Sequence, residues 1–386
     1  MKKPLEDILI VDFSQFLSGP SATLRLADLG ARVIKIERPK SGDISRSMYI
    51  SNIHMNGDSS IFHAINRNKE SITANLKSEE DCMRIKELIG KADVVVHNFR
   101  PGVMKRLGFD YESVKNIKSD IIYGEISGYG TEGPWKDDPG QDLLLQAISG
   151  LCQLSGNKGN GPVPMGISVV DIVVGAHLVQ GILACLVRKG INGQGGHVEV
   201  NMLESACDLQ FESLTTFYND GGQAVERSVH NNANAYLGAP YGIYKTKEGY
   251  LSLAMTDIRK LGEIIGCDEI RNYPPESWFE KREEIKSILA DFFQSEDANY
   301  WLSLLEPADI WCAEVFSWQQ LMKHEGFLSL NMIQSVTMSD EYTFRTTRCP
   351  IMIDENMLIS NKGTPKLGED NKRIFNEMIK SGEVNV

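Results

Sequence analysis

Cysteine pairs are missing from this chain of 386 residues. Its seven cysteines (Cys82, Cys152, Cys185, Cys207, Cys267, Cys312 and Cys349) are odd in number, scattered, and form no C-x-x-C. That excludes a disulfide framework and a thiolate zinc site, and it fits free thiols in a reducing compartment. The seven histidines show no H-x-x-x-H spacing, so no catalytic metal is expected. Basic charge is also short. The 40 Lys and Arg against 52 Asp and Glu leave a net charge of −12, which speaks against a nucleic-acid partner. The opening "MKKPLEDILIVDFS" starts basic, but Asp12 breaks its apolar stretch, so it does not read as a signal peptide. The apolar run from Asp171 to Val187 is interrupted by His177 and Gln180 and reads as too short to span a bilayer. A cytoplasmic protein with no membrane partner is the expectation. Internal repeats and low-complexity tracts are absent too.

What is present is a run of alternating strand and helix patterns. "ILIVDF" and "RVIKIE" flank the helical "SATLRLADLG", with Pro20 near its start and Gly30 at its end. "SITANL", "DVVVHNF", "DIIYGEI" and "GHVEVNML" read as further strands. Helical stretches lie between them, one of them opened by a capping box of Ser78 and Asp81. Such alternation predicts an α/β protein with a parallel sheet covered by helices. "ESACDLQFESLTTFYND" reads as one long helix leading away. From about residue 235 the pattern becomes α+β, with a hairpin around Lys247-Glu248-Gly249 and short charged helices. The expected division is a large domain over 1–205, a linker over 206–235, a small α+β domain over 236–325, and a return to the large domain over 326–386.

The first strand is not followed by G-x-G-x-x-G but by "SQFLSGP", so direct dinucleotide binding is not expected. Strand ends remain the place where α/β sheets bind ligands. There the sequence supplies Arg38, Lys40, Arg46, Lys77, Arg100, Arg106 and Lys136, a set suited to a multiply phosphorylated ligand. In "GPVPMGISVVDIVVGAHLVQGILACLV" a single carboxylate, Asp171, sits in an apolar run. Two readings stand. It caps the helix, or it is a poorly hydrated carboxylate nucleophile at the helix mouth. His177 reads as a packed or hydrogen-bonded histidine, and Asp142 as the cap of its own helix, bordering the same place.

"DFSQFLSGPSATLRLADLGARVIKIERPKSGDISR" resembles the N-terminus of the class III (family III) CoA-transferases. In order follow "NRNKESITANLKS", "ADVVVHNFRPGVMKRLGFDYESV", "ISGYGTEGP", "GHVEVNMLE", "APYGIYKTKEGYLSLA" and "TPKLGED". The resemblance implies a Rossmann-like large domain built from both chain ends, a smaller α+β domain, and an interlocked homodimer. It places the catalytic aspartate on Asp171. It places CoA contacts on Arg38, Ala74, Asn75, Leu76, Lys77, Asn98, Phe99, Arg100, Arg106, Asp138, Pro139, Gly140 and Gln141. Coenzyme A and acyl-CoA would be substrates, with no permanently bound cofactor, and the second substrate a small carboxylic acid.

The implied reaction passes CoA from an acyl-CoA donor to the acid through an aspartyl anhydride and an aspartyl-CoA thioester. Backbone N–H groups at the helix start or in residues 128–133 are candidates to hold the oxyanion. Two departures narrow the choice. Leu17 stands where the formyl-CoA branch has glutamine. Gln141 stands where the racemase branch has its second base, a histidine, and glutamine exchanges no proton at neutral pH. Transfer is therefore favoured over the alternatives, an acyl-CoA racemase or isomerase and a non-catalytic CoA-binding protein.

Overall fold

The computed structural model describes residues 2–50, 52–223 and 226–382. The chain forms two compact units. One comprises Met1–Leu145, Ser168–Leu209 and Leu330–Val386, the other Gln146–Ile167 and Gln210–Ser329. This division departs from the sequence expectation in three places, the first being a return to the first unit at 330 instead of 326. Residues 146–167 join the second unit although they precede the last strand of the first. The stretch 206–235 does not stand between the units, since 206–209 belong to the first and 210–235 to the second. The single long helix expected there is two, Met202–Asp208 and Phe211–Asn219, interrupted at Leu209 and Gln210. Apolar periodicity reports that a segment is helical but not which core it joins.

The first unit is built on β1 (Leu9–Asp12), β2 (Arg32–Glu37), β3 (Glu70–Thr73), β4 (Val94–His97), β5 (Ile122–Ser127) and β6 (Gly196–Asn201). All neighbours are parallel, in the order β3-β2-β1-β4-β5-β6. The near-continuous apolar runs of β1 and β4 are what a sheet buried on both faces demands. The helices are α1 (Ser18–Asp28), α2 (Ser60–Asn66), α3 (Glu79–Lys91), α4 (Val103–Leu107), α5 (Tyr111–Ile117), the start of α6 (Asp142–Ile148, of the second unit from Gln146 on) and α7 (Val169–Asn192), with α8 (Met202–Asp208) after β6. Ile85, Leu88 and Ile89 of α3 and Val114 of α5 pack on Val11, Ile34, Ile72, Val95 and Tyr123 of the sheet. Ser78 does cap α3, accepting the Asp81 N–H, but Asp81 reaches back to the Asn75 N–H rather than to Ser78.

The sheet edge at β3 is closed by the chain's far end. The Ser71 and Thr73 N–H groups donate to Asp370 and Asn371, at 2.9 and 2.8 Å. Ile374 and Met378 of the C-terminal helix Asn371–Gly382 enter the same core. An edge that would otherwise present unpaired donors is thereby covered.

The second unit holds a three-stranded antiparallel sheet of Gly242–Lys245, Tyr250–Leu253 and Cys312–Glu314. Its first two strands form the expected hairpin, closed by Thr246 N–H to Gly249 O. Tyr244 and Leu251 pack under Ile258, Leu261, Ile285, Leu289, Phe293 and Trp301 from the helices that follow.

Candidate active site

Ligands of open α/β sheets bind outside the carboxyl ends of the strands, where the strand order reverses. Here that point lies between β1 and β4, and the first unit opens there into a cleft of about 820 Å³. Phe13 and Gln15 line it after β1, Ile36, Glu37, Arg38, Pro39 and Ser41 at the end of β2, Ala74, Asn75, Leu76 and Lys77 after β3, and Phe99, Arg100 and Arg106 after β4. Eight of the thirteen expected CoA contacts are thus brought together from three loops distant in sequence.

Four cations line the cleft: Arg38, Lys77, Arg100 and Arg106. Among the described residues, no ion pair engages any of them. The other three candidates are placed elsewhere. Lys40 and the exposed Lys136 do not line the cleft. Arg46 is buried, with Nε and Nη2 on Glu37 at 2.8 and 2.7 Å, Nη1 on Asp58 at 2.7 Å, and its guanidinium 3.8 Å from the centre of the Phe62 ring. A guanidinium so saturated has no fork left for a phosphate. Asp138, Pro139, Gly140 and Gln141 are exposed and lie outside the cleft. In that segment Gly140 packs on Gly128 so tightly that a Cβ on either would lie within 2.8 Å of the other's Cα.

Asn98 is outside the cleft as well, for a structural reason. Its Oδ1 accepts the Gln15 N–H at 2.8 Å, and its Nδ2 donates to Gln15 O at 2.6 Å and to Ser18 Oγ at 3.2 Å. It clamps the loop between β1 and α1. Two buried acids do the same from beneath. Lys35 Nζ donates to Ser14 O at 2.6 Å and pairs with Asp43 at 2.7 Å, while Asp43 accepts the Phe16 N–H at 3.2 Å. Asp12 accepts the Ser14 N–H at 2.9 Å. The loop needs this support, because Phe16 sits at φ 62°, a left-handed conformation unfavourable for a side chain of its size.

The loop ends at Ser18, and Ser18 touches Asp171. Asp171 stands in the first turn of α7 but does not cap it. Ser168 is at the cap position without a side-chain bond, and the capping is done by Asp142, whose Oδ1 accepts the Val170 and Asp171 N–H groups at 2.8 and 3.2 Å. Asp142, the first residue of α6, therefore caps α7, and those two N–H groups are not free to hold an oxyanion. Gly130, in the other candidate segment, gives its N–H to Ser127 Oγ at 2.9 Å. The Asp171 carboxyl is released for other work. Burial and the neighbouring Asp142 charge push its pKa up to about 7, against the pull of a hydrogen bond from Ser18. Gly175, one turn further on, makes the approach possible: a Cβ there would lie 2.6 Å from Ser21 Oγ and 2.9 Å from Ser18 O. His177 is engaged elsewhere, facing Ser205 at 3.0 Å and Asp208 at 3.2 Å on α8.

A half-buried carboxylate at a helix mouth, reached by the same loop that sends Gln15 into a cationic cleft at the switch of a parallel sheet, suits chemistry on an anionic, nucleotide-like substrate. The chain belongs to CoA-transferase family III, whose profile matches residues 5–371. It is an enzyme that transfers CoA between an acyl-CoA and a carboxylic acid. It is 30% identical over 394 residues to succinyl-CoA:glutarate CoA-transferase of Mus musculus, covering 99% of this chain and 88% of the relative. It is 30% identical over 395 residues to formyl-CoA:oxalate CoA-transferase of Streptomyces coelicolor, covering 97% and 94%. Among solved structures, a CAIB/BAIF family protein from Brucella suis superposes with a TM-score of 0.84 at 26% identity, covering 98% of this chain and all of that one.

Proposed function

We propose that Asp171 is the nucleophile and that the cleft after β1 to β4 holds CoA. The observation that carries this reading is the carboxyl of Asp171, half-buried in the first turn of α7 yet excused from capping it. The carboxylate attacks the donor thioester, forming an aspartyl acyl anhydride and CoA thiolate. The thiolate attacks the aspartyl carbonyl, releasing the donor acid and leaving aspartyl-CoA thioester. The acceptor carboxylate displaces CoA to form a second anhydride, and the thiolate attacks its acyl carbon, giving the new acyl-CoA and free Asp171. Thioester energy is conserved, so water must be kept from the anhydrides. The first unit is read as Rossmann-like on its strand order. Seven free cysteines support a cytoplasmic setting.

The test is to mix the protein with acyl-CoA, add hydroxylamine and locate the adduct by mass spectrometry. Hydroxamate at Asp171, and loss of transfer with retained CoA binding in Asp171→Ala, are expected; turnover without modification there would refute the nucleophile. A carboxyl with a pKa of about 7 also suits a base at C2 of the acyl group. Deuterium uptake at C2 with no acceptor acid present would identify that isomerase reading.

We further propose a homodimer. The apolar helix α7 is long enough by length and composition to cross a membrane, which removes the length argument made from the sequence. A third of its most apolar stretch is buried within the chain, and Val187 and Ile191 are 63% and 79% exposed. A second copy covering that face is what the proposal adds.

A further inference from the structure

At the end of β4, His97 lies in a chain of contacts that the proposed reaction does not use. Its ring is buried, and Nδ1 accepts the Phe99 N–H at 3.2 Å. A backbone N–H can only donate, so Nδ1 carries no proton and Nε2–H is the donor to Glu125 Oε2 at 3.0 Å. Glu125 belongs to β5 and stands directly opposite His97 in the parallel register. Its other oxygen faces His197 Nε2 at 3.5 Å, and His197 Nδ1 faces Glu199 at 3.6 Å. The His197 ring is stacked on Tyr111 at 4.6 Å, with an interplanar angle of 15°.

Glu125, His197 and Glu199 are close enough together to suggest a metal site. The ring geometry argues otherwise, because the two carboxylates lie against different nitrogens of one imidazole. That is the arrangement of an imidazolium ion-paired with both, not of one nitrogen sharing an ion with them. Burial would lower the His197 pKa, but Glu125 and Glu199, with Glu112 of α5, raise it. Burial would raise the Glu125 pKa, but His197 and His97 hold it down to about 2.

We propose that His97 is a positioning residue for CoA, held by Glu125 and His197 so that Nδ1 sets the backbone turn that carries Phe99 and Arg100 into the cleft. The inference rests on reading that cleft as the CoA site. Phe99 and Arg100 both line it, and the backbone donor that Nδ1 holds is the N–H of Phe99, two residues on, immediately before Arg100 and Pro101. Freed from Nδ1, the turn loses its anchor and the Arg100 guanidinium its aim.

Two substitutions separate the two ends of the ring. His97→Gln keeps a donor near the Nε2 position and removes the acceptor. His97→Asn puts Oδ1 where Nδ1 stands and keeps the bond to the Phe99 N–H. In His97→Gln, KM for acyl-CoA and Kd for CoA are expected to rise about tenfold with kcat within about twofold, and His97→Asn is expected to recover most of the loss. Should His97→Gln fail to fold, Glu125→Ala decides, with KM again rising while kcat holds. Unchanged KM in the folded variant, a fall in kcat instead, or equal damage in His97→Asn overturns the proposal. Calorimetry of wild type and Arg100→Ala with CoA tests the underlying reading separately. If Arg100→Ala binds CoA as wild type does, the cleft reading fails. If it does not, and His97→Gln does, the positioning role alone fails.

Discussion

At Asp171, two opposing influences set how much of the carboxyl is ionised. Burial and the Asp142 charge favour the protonated form, while the Ser18 hydroxyl favours the carboxylate, and the balance is a pKa of about 7. A nucleophile must be ionised, so activity is expected to fall as pH drops through 7. Ser18→Ala removes a bond made to the charged form, so the acid limb should move to higher pH, by about half a unit to a unit. A pH profile of kcat/KM checks this; a limb that stays in place or moves lower would mean that Ser18 does not act on the carboxyl. Asp171 was legible in the sequence as a lone acid in an apolar run. Its release from capping was not, because Asp142 and Ser18 reach it only through tertiary packing. Ser18 left no sequence signal beyond its place in "SQFLSGP".

Among the elements, α7 and its contact with α1 decide whether the site assembles. Gly175 is a point of close approach, and the atoms a Cβ would strike include the Ser18 backbone. Gly175→Ala gains about 1 kcal/mol of helix propensity but meets an overpacking cost of about 1–3 kcal/mol. A small change in stability is expected, together with a loss of at least about tenfold in kcat/KM as Ser18 is pushed from Asp171. Gly190, in the same helix, faces open space. Gly190→Ala should therefore stabilise by about 0.5–1 kcal/mol. Thermal unfolding and kinetics of the two variants separate packing at the site from helix propensity; equal behaviour would remove the role assigned to Gly175. Strands and helices of the sheet were readable because their apolar periods are strong. The break at Leu209 and Gln210 was not, since both flanking segments have helical patterns.

For the whole molecule, the acidic net charge and the cationic cleft are compatible because Arg38, Lys77, Arg100 and Arg106 are gathered at one end of the sheet. The exposed apolar face of α7 sets the assembly prediction. Light scattering should give twice the 43.1 kDa chain mass, and Val187→Glu with Ile191→Lys should shift it towards one chain. A monomeric wild type at micromolar concentration would contradict the dimer, and partition into detergent would favour a membrane for that face.

Local sequence determined the βα alternation, the family motifs, the strand-end loops and the isolated acid, because each depends on residues within a few positions of one another. Only the tertiary structure decided that Arg46 is spent on Glu37 and Asp58, that Asn98 braces a loop, and that Asp142 caps α7. Those outcomes depend on distances between segments far apart along the chain. Burial then sets what each charge can do, by removing the water that would have made them all alike.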